Sequence, residues 1–488
     1  MSSTLQQEES VSPSTGSIEV PTTKTITKII TVLVLAAFLM ILNETVLTIA
    51  LPNLMAEFNV SAVSVQWLTT GFLLTMAIII PTTGFLIQRF TTRALFGTAL
   101  SLFVVGTLLA AFAPSVSVIL IGRIIQAGGT AIVLPLLTTT TLTLVPPTHR
   151  GTIMGLNSVV ISVGPAIGPT LAGLVVNMWG WRWIFGAIAP LAVILLIAGL
   201  LVLKNSGPTR KAPLDVLSVV LSAIAFGGIV YGLASISAVI QGLLTPVIVF
   251  VVGLVALAVF IHRQLQLTRK NDSALLNLKP FANHNFRIAV VIVMIAMATM
   301  LGTVMVLPIY LQNGRGLSVL EAGLILLPGG LIQGITSPFI GRLFDKIGAL
   351  PLVIPGAVLL AAGMWWKTTL QADTPIGLII TMNVLVCLGM GLIMTPLMTT
   401  ALGSLPRELY GHGSAIMNTL QQLAGAAGTA AFVAALSIGA AGAASRGANE
   451  VATVIAGTDA TFTLGGILAI IAIVFAFFIR KPAEQEAH

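Results

Sequence analysis

Charged side chains are scarce in this 488-residue chain: they make up only 8% of it, while 56% of the residues are hydrophobic. Soluble globular proteins contain about 25% charged residues, so a soluble enzyme, a disordered regulator and a secreted scaffold are excluded. The single cysteine, Cys387, excludes an internal disulfide and a thiolate metal cluster. The sequence has no glycine-rich phosphate loop and no metal-ligand spacing of histidines. We therefore expect a polytopic all-helical membrane protein without a metal or cofactor.

Long apolar runs occupy most of the sequence and predict the number of membrane crossings. At about 20 residues per crossing, we predict fourteen spans. They lie near residues 28-51, 64-87, 95-113, 117-145, 151-176, 182-203, 214-235, 243-261, 287-312, 320-340, 351-370, 374-398, 412-439 and 459-479. An even number places both termini on one side, where 18 of the 23 lysine and arginine residues then fall, against four on the other. Because positive loops remain in the cytoplasm, both termini are predicted to be cytoplasmic.

The chain divides at a basic segment after the eighth span. The second span ends in Gly-Phe-Leu-Ile-Gln-Arg at 84-89, and the tenth ends in a related Gly-Arg-Leu-Phe-Asp-Lys at 341-346. This repeat predicts two six-helix halves with two extra helices between them. The predicted divisions are a disordered cytoplasmic tail 1-27, an N-terminal half 28-203, extra helices 204-261, a cytoplasmic linker 262-286, a C-terminal half 287-480 and a cytoplasmic tail 481-488.

Two charged residues are predicted deep inside spans. Glu44 lies within span one, and Arg123 lies at a similar depth in span four, counted at about 1.5 Å per residue. A carboxyl group in hydrocarbon is costly unless it is neutralised, paired or exposed to a water-filled cavity. We favour a proton-coupling pair that lines a cavity. The alternative is a fixed buried ion pair that only orients two helices.

A stretch rich in glycine and proline interrupts the fifth span at Gly164, Pro165, Gly168 and Pro169. Proline removes a backbone donor and kinks a helix, and glycine allows a neighbouring backbone to approach closely. The stretch predicts either a kink with tight packing or a hinge between helices that open alternately to the two faces.

Polar and aromatic side chains also recur in the spans expected near a central cavity. Interhelical hydrogen bonding explains many such residues, so a packing role is the alternative for each. The candidates for a substrate cavity are Asn43, Thr48, Trp67, Gln126, Asn157, Tyr310, Gln312, Asn418 and Gln422.

These motifs together resemble the major facilitator superfamily, and within it the fourteen-span drug:proton antiporter branch. The resemblance covers residues 28 to 480 and in detail is similar to lincomycin-resistance-type exporters. The matching segments are the first-span motif at 42-52, the loop motif at 84-93 with its repeat at 341-348, the fourth-span motif at 123-128 and the antiporter motif at 155-169.

The resemblance implies a role for Arg123 in proton transfer and a set of gating and hinge residues. These are Gly84, Gln88, Arg89, Arg93, Gly164, Pro165, Gly168, Pro169, Gly341, Asp345 and Lys346. Two positions depart from the branch. Asn43 stands where the branch often has Asp, so the carboxylate of Glu44 comes one residue later, about 100° around the helix. Gln88 replaces the usual Asp of the loop motif and leaves Asp345 as its acidic counterpart in the second half.

The sequence thus predicts an exporter of the inner cell membrane, and not an enzyme. It would exchange amphipathic drugs, such as lincosamide-type antibiotics or cationic dyes, for protons by alternating access. The alternatives are a proton-coupled exporter of a metabolite such as an amino acid or siderophore, a proton symporter for uptake, and a non-transporting membrane scaffold. The predicted partners are the small substrate, protons and the lipid bilayer, with no nucleic acid and no obligate protein partner.

Overall fold

The computed structural model describes residues 23–203, 215–240, 242–270 and 274–480. Within these ranges the chain forms α-helices joined by short turns, as the sequence predicts. The helices are α1 Thr23–Phe58, α2 Ala62–Ile79, α3 Thr83–Arg89, α4 Thr92–Ala111, α5 Val116–Leu144, α6 Arg150–Trp179, α7 Arg182–Val202, α8 Val216–Ala234, α9 Ile236–Ile240, α10 Thr245–Lys270, α11 His284–Ile309, α12 Val319–Ile347, α13 Leu350–Lys367, α14 Ile376–Gly403, α15 Tyr410–Ala444 and α16 Glu450–Ala476.

The number of spans agrees with the prediction. In the described ranges, 13 helical segments are long and apolar enough to cross a bilayer, and α6 makes a fourteenth when its two bent parts count as one span. The bend in α6 is 47° and falls between Pro165 and Thr170. Proline at 165 and 169 removes backbone donors at this point, so the predicted kink is present.

Several boundaries differ from the prediction. Helix α1 begins at Thr23, so the last five residues of the predicted tail are helical. Helix α10 continues to Lys270, inside the predicted linker. Helix α16 begins at Glu450, which places Asp459 within the helix and not at its end. The rest of the N-terminal tail, residues 271–273 of the linker, residues 204–214 and the tail at 481–488 lie outside the described residues.

Each half has its own apolar core. One cluster of buried side chains belongs to α1, α2 and α4 to α7, and a second belongs mainly to α11 to α16. The extra helices α8 and α10 join the second cluster through Phe226, Val230 and Phe260. Helix α8 also packs against α2 and α15. The extra pair therefore lies beside the seam between the halves.

The two halves meet mainly along α6 and α12, with a second contact between α15 and the helices α3 and α5. A Cβ atom on Gly155 would lie 2.4 Å from the carbonyl oxygen of Ser337. A Cβ atom on Gly341 would lie 2.1 Å from that of Gly151. Glycine is needed at both positions because the backbones of α6 and α12 touch there.

Candidate functional site

Arg123, on α5, is the central cation of the first half and is fully buried. Its guanidinium donates to the backbone carbonyls of Asn43 at 3.1 Å and Glu44 at 3.4 Å, both on α1. It also donates to the carbonyl of Leu68 on α2 at 3.5 Å, and its Cζ lies 4.0 Å from the centroid of the Phe72 ring. A buried charge requires polar partners. Here carbonyl oxygens and an aromatic face supply them.

The side chain of Asn43 extends this network to α4. Its amide donates to Oε1 of Gln126 at 3.2 Å, an oxygen that also accepts from Arg123 at 3.3 Å. Nε2 of Gln126 then donates to the hydroxyl of Thr107 at 2.8 Å. Asn43 and Gln126 are both fully buried. In this conformation they join three helices around the cation and do not line open space, contrary to the predicted cavity role.

Glu44 follows Asn43 on α1 and its backbone carbonyl accepts from Arg123, but its carboxylate does not contact the guanidinium. Among the described residues its oxygens make no hydrogen bond and have no cationic nitrogen within 4.0 Å. The side chain is partly accessible, whereas that of Asn43 is not. A step of one residue rotates a side chain by about 100° around a helix, which separates the two directions. The predicted residues share a depth without forming an ion pair.

Two of the remaining candidates for the substrate cavity are buried. Tyr310 is fully buried in the second half, where its hydroxyl donates to the carbonyl of Gln371 at 2.7 Å. Asn157 is buried and donates to the hydroxyl of Thr141 at 3.3 Å. Both predictions of cavity lining are wrong for this conformation, because packing against neighbouring helices covers these side chains.

Other candidates remain accessible. Gln312, Asn418 and Gln422 are partly exposed, and the amide of Asn418 donates to the carbonyl of Ser414 in its own helix at 2.9 Å. Trp67 is exposed and stacks on Tyr231 of the extra helix α8, with ring centroids 5.9 Å apart. Trp67 therefore contacts the extra helices. The side chain of Thr48 lies outside what the structure describes.

Asp345 forms a contact between the halves at the face where α1 begins and α16 ends, which we call the terminal face. Its carboxylate accepts hydrogen bonds from the backbone N–H of Gly151 at 2.7 Å and of Thr152 at 2.9 Å. The hydroxyl of Thr152 also donates to it, at 2.7 Å. These donors form the first turn of α6, where a negative charge is favoured by the helix dipole. Asp345 of the second half thereby caps a helix of the first.

Gln88 occupies the corresponding place in the first half. Its amide donates to the backbone carbonyl of Glu408, just before α15, at 3.0 Å. Aspartate could not donate this bond. Gln88 therefore joins the two halves through a hydrogen bond between uncharged groups. Gly84 lies nearby against His412 of α15, where a Cβ atom would be 2.7 Å from the imidazole Nδ1.

The glycines of the antiporter motif pack α6 against α1. A Cβ atom on Gly164 would lie 2.8 Å from Ile41, and one on Gly168 would lie 2.2 Å from the hydroxyl oxygen of Thr45. Thr45 is adjacent to Glu44, so α6 supports the turn of α1 that holds the carboxylate. Together with Gly151 and Gly155, which face α12, these glycines place α6 between the proton-coupling candidates and the second half.

Three cationic gating candidates are exposed. Arg89 lies about 6 Å from the ring centroids of Phe85 and Phe90, and Lys346 lies at the end of α12. Arg93 lines a groove formed by α4, α5 and α7 on the outer side of the first half. The gating role of Arg93 stays a prediction, and its side chain lies beside residues of the first half.

The halves are closed toward the terminal face. Besides the contacts of Asp345 and Gln88, the hydroxyl of Thr395 on α14 donates to that of Ser158 on α6 at 2.8 Å. At the opposite face, the polar contacts among described residues stay within one half. Glu57 accepts from Trp181 and from Arg182, both at 2.6 Å, and these bonds hold the pKa of the Glu57 carboxyl below its ordinary value.

Sequence analysis missed a second fully buried cation. The charge count places Lys367 among the four basic residues on the side opposite the termini, near the end of the predicted span 351-370, but its side chain is completely buried at the end of α13. Its ammonium donates to Oδ1 of Asn383 at 3.0 Å and lies 5.3 Å from the centroid of the Phe462 ring. A lysine that directly follows two tryptophans at a span end resembles an interfacial anchor, so the sequence offered no signal of its burial.

An ion pair joins the extra helices at the terminal face. Arg263 near the end of α10 contacts Asp215 through two bonds of 2.7 and 2.8 Å. The carboxylate also accepts from the hydroxyl of Ser218. These donors lower the pKa of Asp215 to about 2. Gln264 links Ser218 to the backbone N–H of Leu276 at 3.1 Å, which attaches the linker to this pair.

Comparison with known proteins identifies the family to which the chain belongs. Residues 33–429 match the sequence profile of the Major Facilitator Superfamily. An uncharacterized MFS-type transporter, YcnB, of Bacillus subtilis (strain 168) is 40% identical over 461 residues, which cover 94% of this chain and 96% of that one. Lincomycin resistance protein LmrB of the same organism is 41% identical over 457 residues, covering 92% and 95%.

Solved structures agree on the fold alone. The human organic anion transporter MFSD10 (TETRAN) has a TM-score of 0.67 at 16% identity, covering 92% of this chain and 99% of that one. The proton:xylose symporter XylE has a TM-score of 0.62 at 18% identity, covering 94% and 96%. The chain therefore belongs to the major facilitator superfamily and is a multi-pass membrane transporter, not an enzyme.

Proposed function

We propose that this transporter exports amphipathic drugs, such as lincosamide-type antibiotics or cationic dyes, in exchange for protons across the cell membrane. The main support is the arrangement of neighbouring Asn43 and Glu44. The backbone carbonyls of Asn43 and Glu44 accept from the buried cation Arg123, and the Asn43 amide binds Gln126, which also accepts from Arg123. The carboxylate of Glu44 is left partly accessible and without a protein partner among the described residues. A carboxyl group that must take up and release a proton needs this freedom.

The packing of α1 supports a place for the proposed substrate cavity. This helix contacts α2, α5, α6 and α7, and the carboxylate of Glu44 is accessible on the remaining side. The accessible polar residues of the second half, Gln312, Asn418 and Gln422, are the candidates to meet a substrate from across that space. Names of relatives support drugs as the substrate class, since LmrB is called a lincomycin resistance protein.

Alternating access requires that the closed side open in turn. The contacts of Asp345 and Gln88 close the terminal face, so in the proposed cycle this conformation belongs to the state that exchanges ligands with the opposite face. Protonation of Glu44 from that side would weaken substrate binding, and release of the proton would accompany the reverse conformation. A ligand shifts such an equilibrium only by binding the two states differently. Competition between proton and drug supplies that difference.

The test is proton flux in proteoliposomes with an interior pH dye. We expect lincomycin or a cationic dye to drive opposing proton movement with the wild type and not with Glu44→Gln. Glu450→Gln removes an exposed carboxylate at the opposite face and serves as the matched control, with wild-type flux. Transport by Glu44→Gln with an unchanged proton flux would overturn the role of Glu44.

The same assay separates the alternative functions. Proton movement in the direction of the substrate indicates a symporter. If no drug in the panel drives proton flux but an amino acid or a siderophore does, the protein is a metabolite exporter. Absence of flux and of binding for every compound indicates a scaffold.

A further inference from the structure

A groove of about 810 Å³ opens on the outer side of the first half, away from Glu44 and Arg123. Its floor is helix α4, and its sides are formed by Ile125 of α5 and Leu200 of α7. Gly97 also lines the groove, and a Cβ atom there would be 3.1 Å from Cδ2 of Leu200. The helices α4, α5 and α7 are each apolar and long enough to cross a bilayer, and Val105 and Leu200 are exposed along the groove, so we expect the groove to face lipid.

The end of the groove at the terminal face is cationic. Arg93 is exposed there, in the first turn of α4. It makes neither a hydrogen bond nor an ion pair with any residue in the described part of the chain. The positive end of the α4 dipole lies at the same point. An unpaired guanidinium at the level of the lipid headgroups is suited to bind a phosphate, because its planar donors match phosphate oxygens.

The side chains that line the groove change from charged to polar to apolar along α4, starting from the terminal face. Arg93 is followed by the exposed hydroxyls of Thr98 and Ser101, and the groove ends in the apolar side chains of Leu102 and Val105. Arg93 and Val105 are separated by about 18 Å along the helix, at 1.5 Å per residue. This is close to the depth of one leaflet, whose hydrocarbon half is about 15 Å thick. The order of charge, hydroxyl and apolar surface matches the order of phosphate, ester and acyl chain in a phospholipid.

The internal repeat indicates that this arrangement is specific to the first half. Residues 84-89 correspond to residues 341-346, so Arg93 corresponds to Leu350 at the start of α13. The second half therefore has no cation at this position. A charge that served only to orient the fold in the membrane would not require the groove beside it.

We propose that this groove binds one anionic phospholipid, with its phosphate on Arg93 and an acyl chain along Gly97, Ser101 and Val105. The site does not depend on the proposed drug export. Its occupant is a lipid and not a free phosphate, because most of the groove is apolar and only its end is charged.

The test uses phosphatidylglycerol with a photoreactive diazirine on its acyl chain, incorporated into nanodiscs with the full-length protein. After photolysis, we expect label on the α4 segment 97–105 and on the peptide containing Leu200. Unlabelled phosphatidylglycerol should compete, while phosphatidylcholine and glycerol phosphate should not. Arg93→Gln should lower the labelling about fivefold, since one basic side chain near the membrane surface contributes roughly that factor.

Two further variants complete the design. Arg287→Gln removes another exposed cation, in the first turn of α11 at the same face, and should leave the labelling unchanged. Ser101→Phe fills the groove and should abolish labelling by any lipid. The proposal is overturned by unchanged labelling of Arg93→Gln, by equal competition from phosphatidylcholine, by label confined to other helices, or by cross-linked dimers that show a second copy in the groove.

Discussion

The guanidinium of Arg123 binds the backbone carbonyl of Glu44, at 3.4 Å, and not its carboxylate. The cation is therefore solvated by helix carbonyls whether or not the acid is ionised. This separates two functions that an ion pair would combine. Arg123 fixes α1 against α5, and Glu44 is left to change its protonation state.

Arg123→Lys should destabilise the protein although it preserves the charge. The single ammonium nitrogen of lysine cannot replace the planar guanidinium, whose separate nitrogens reach the carbonyls of Asn43, Glu44 and Leu68 together. Each buried polar group that loses its partner costs about 1–3 kcal/mol. We expect a melting temperature lowered by several degrees in detergent and a loss of transport. A melting temperature equal to that of the wild type would show that the carbonyl contacts do not stabilise the helices.

Asp345→Ala should open the terminal face. The substitution removes three hydrogen bonds to a carboxylate, and a loss of about 2 kcal/mol shifts the ratio of closed to open molecules about thirtyfold. Spin labels at exposed Thr148 and Arg407, one in each half, should report a longer distance. Gln88→Ala removes one neutral bond worth about 1 kcal/mol and should produce a smaller shift. An equal effect of both variants would contradict the charged cap on α6.

Gly341→Ala should separate α6 from α12. The new Cβ atom would lie 2.1 Å from the carbonyl oxygen of Gly151, so the backbones must move apart. We expect a lower melting temperature and reduced transport. Gly323→Ala, on the same helix, meets nothing within 4 Å and is the matched control, with stability equal to or above that of the wild type. Equal melting temperatures for the two variants would contradict the close crossing.

The buried contact of Lys367 with Asn383 should behave as a coupled pair. Asn383→Leu leaves the ammonium without its acceptor and should cost about 3–5 kcal/mol, the range for a buried charge that loses its partner. Lys367→Met should cost less, because only a neutral amide is left unpaired. The double variant should recover much of the loss, as measured by thermal unfolding in a double-mutant cycle. Additive losses would show that the two residues do not interact.

The pair of Asp215 and Arg263 predicts a pH dependence of stability. The pKa of Asp215 is lowered from 3.8 to about 2, so the ionised form stabilises the folded state above pH 4. That stabilisation, about 1–2 kcal/mol after allowance for solvent screening, is lost as the pH falls from about 4 to about 2. Thermal unfolding of Asp215→Asn should therefore differ from the wild type at pH 6 and converge with it near pH 2. A constant difference across this range would exclude the ion pair as its source.

The membrane class, the fourteen spans and the kink of α6 could all be predicted from the sequence. Apolar length sets the number of crossings because unpaired backbone groups are excluded from hydrocarbon, and proline acts on the backbone of its own helix. The motif at 84-89 and its repeat at 341-346 likewise located the contacts of Gln88 and Asp345. These signals are local in the chain, or repeat at a fixed interval.

Side-chain direction was decided only by the tertiary structure. Residue counting placed Glu44 and Arg123 at one depth, but the rotation of α1 determined that the Asn43 side chain bonds Gln126 beside the cation, while the Glu44 carboxylate makes no contact with it. For the same reason Tyr310 and Asn157 are covered, Lys367 is buried and Arg93 is exposed beside a groove. Polarity and depth are properties of one helix, whereas burial depends on which neighbours lie against each face, and those neighbours come from distant parts of the chain.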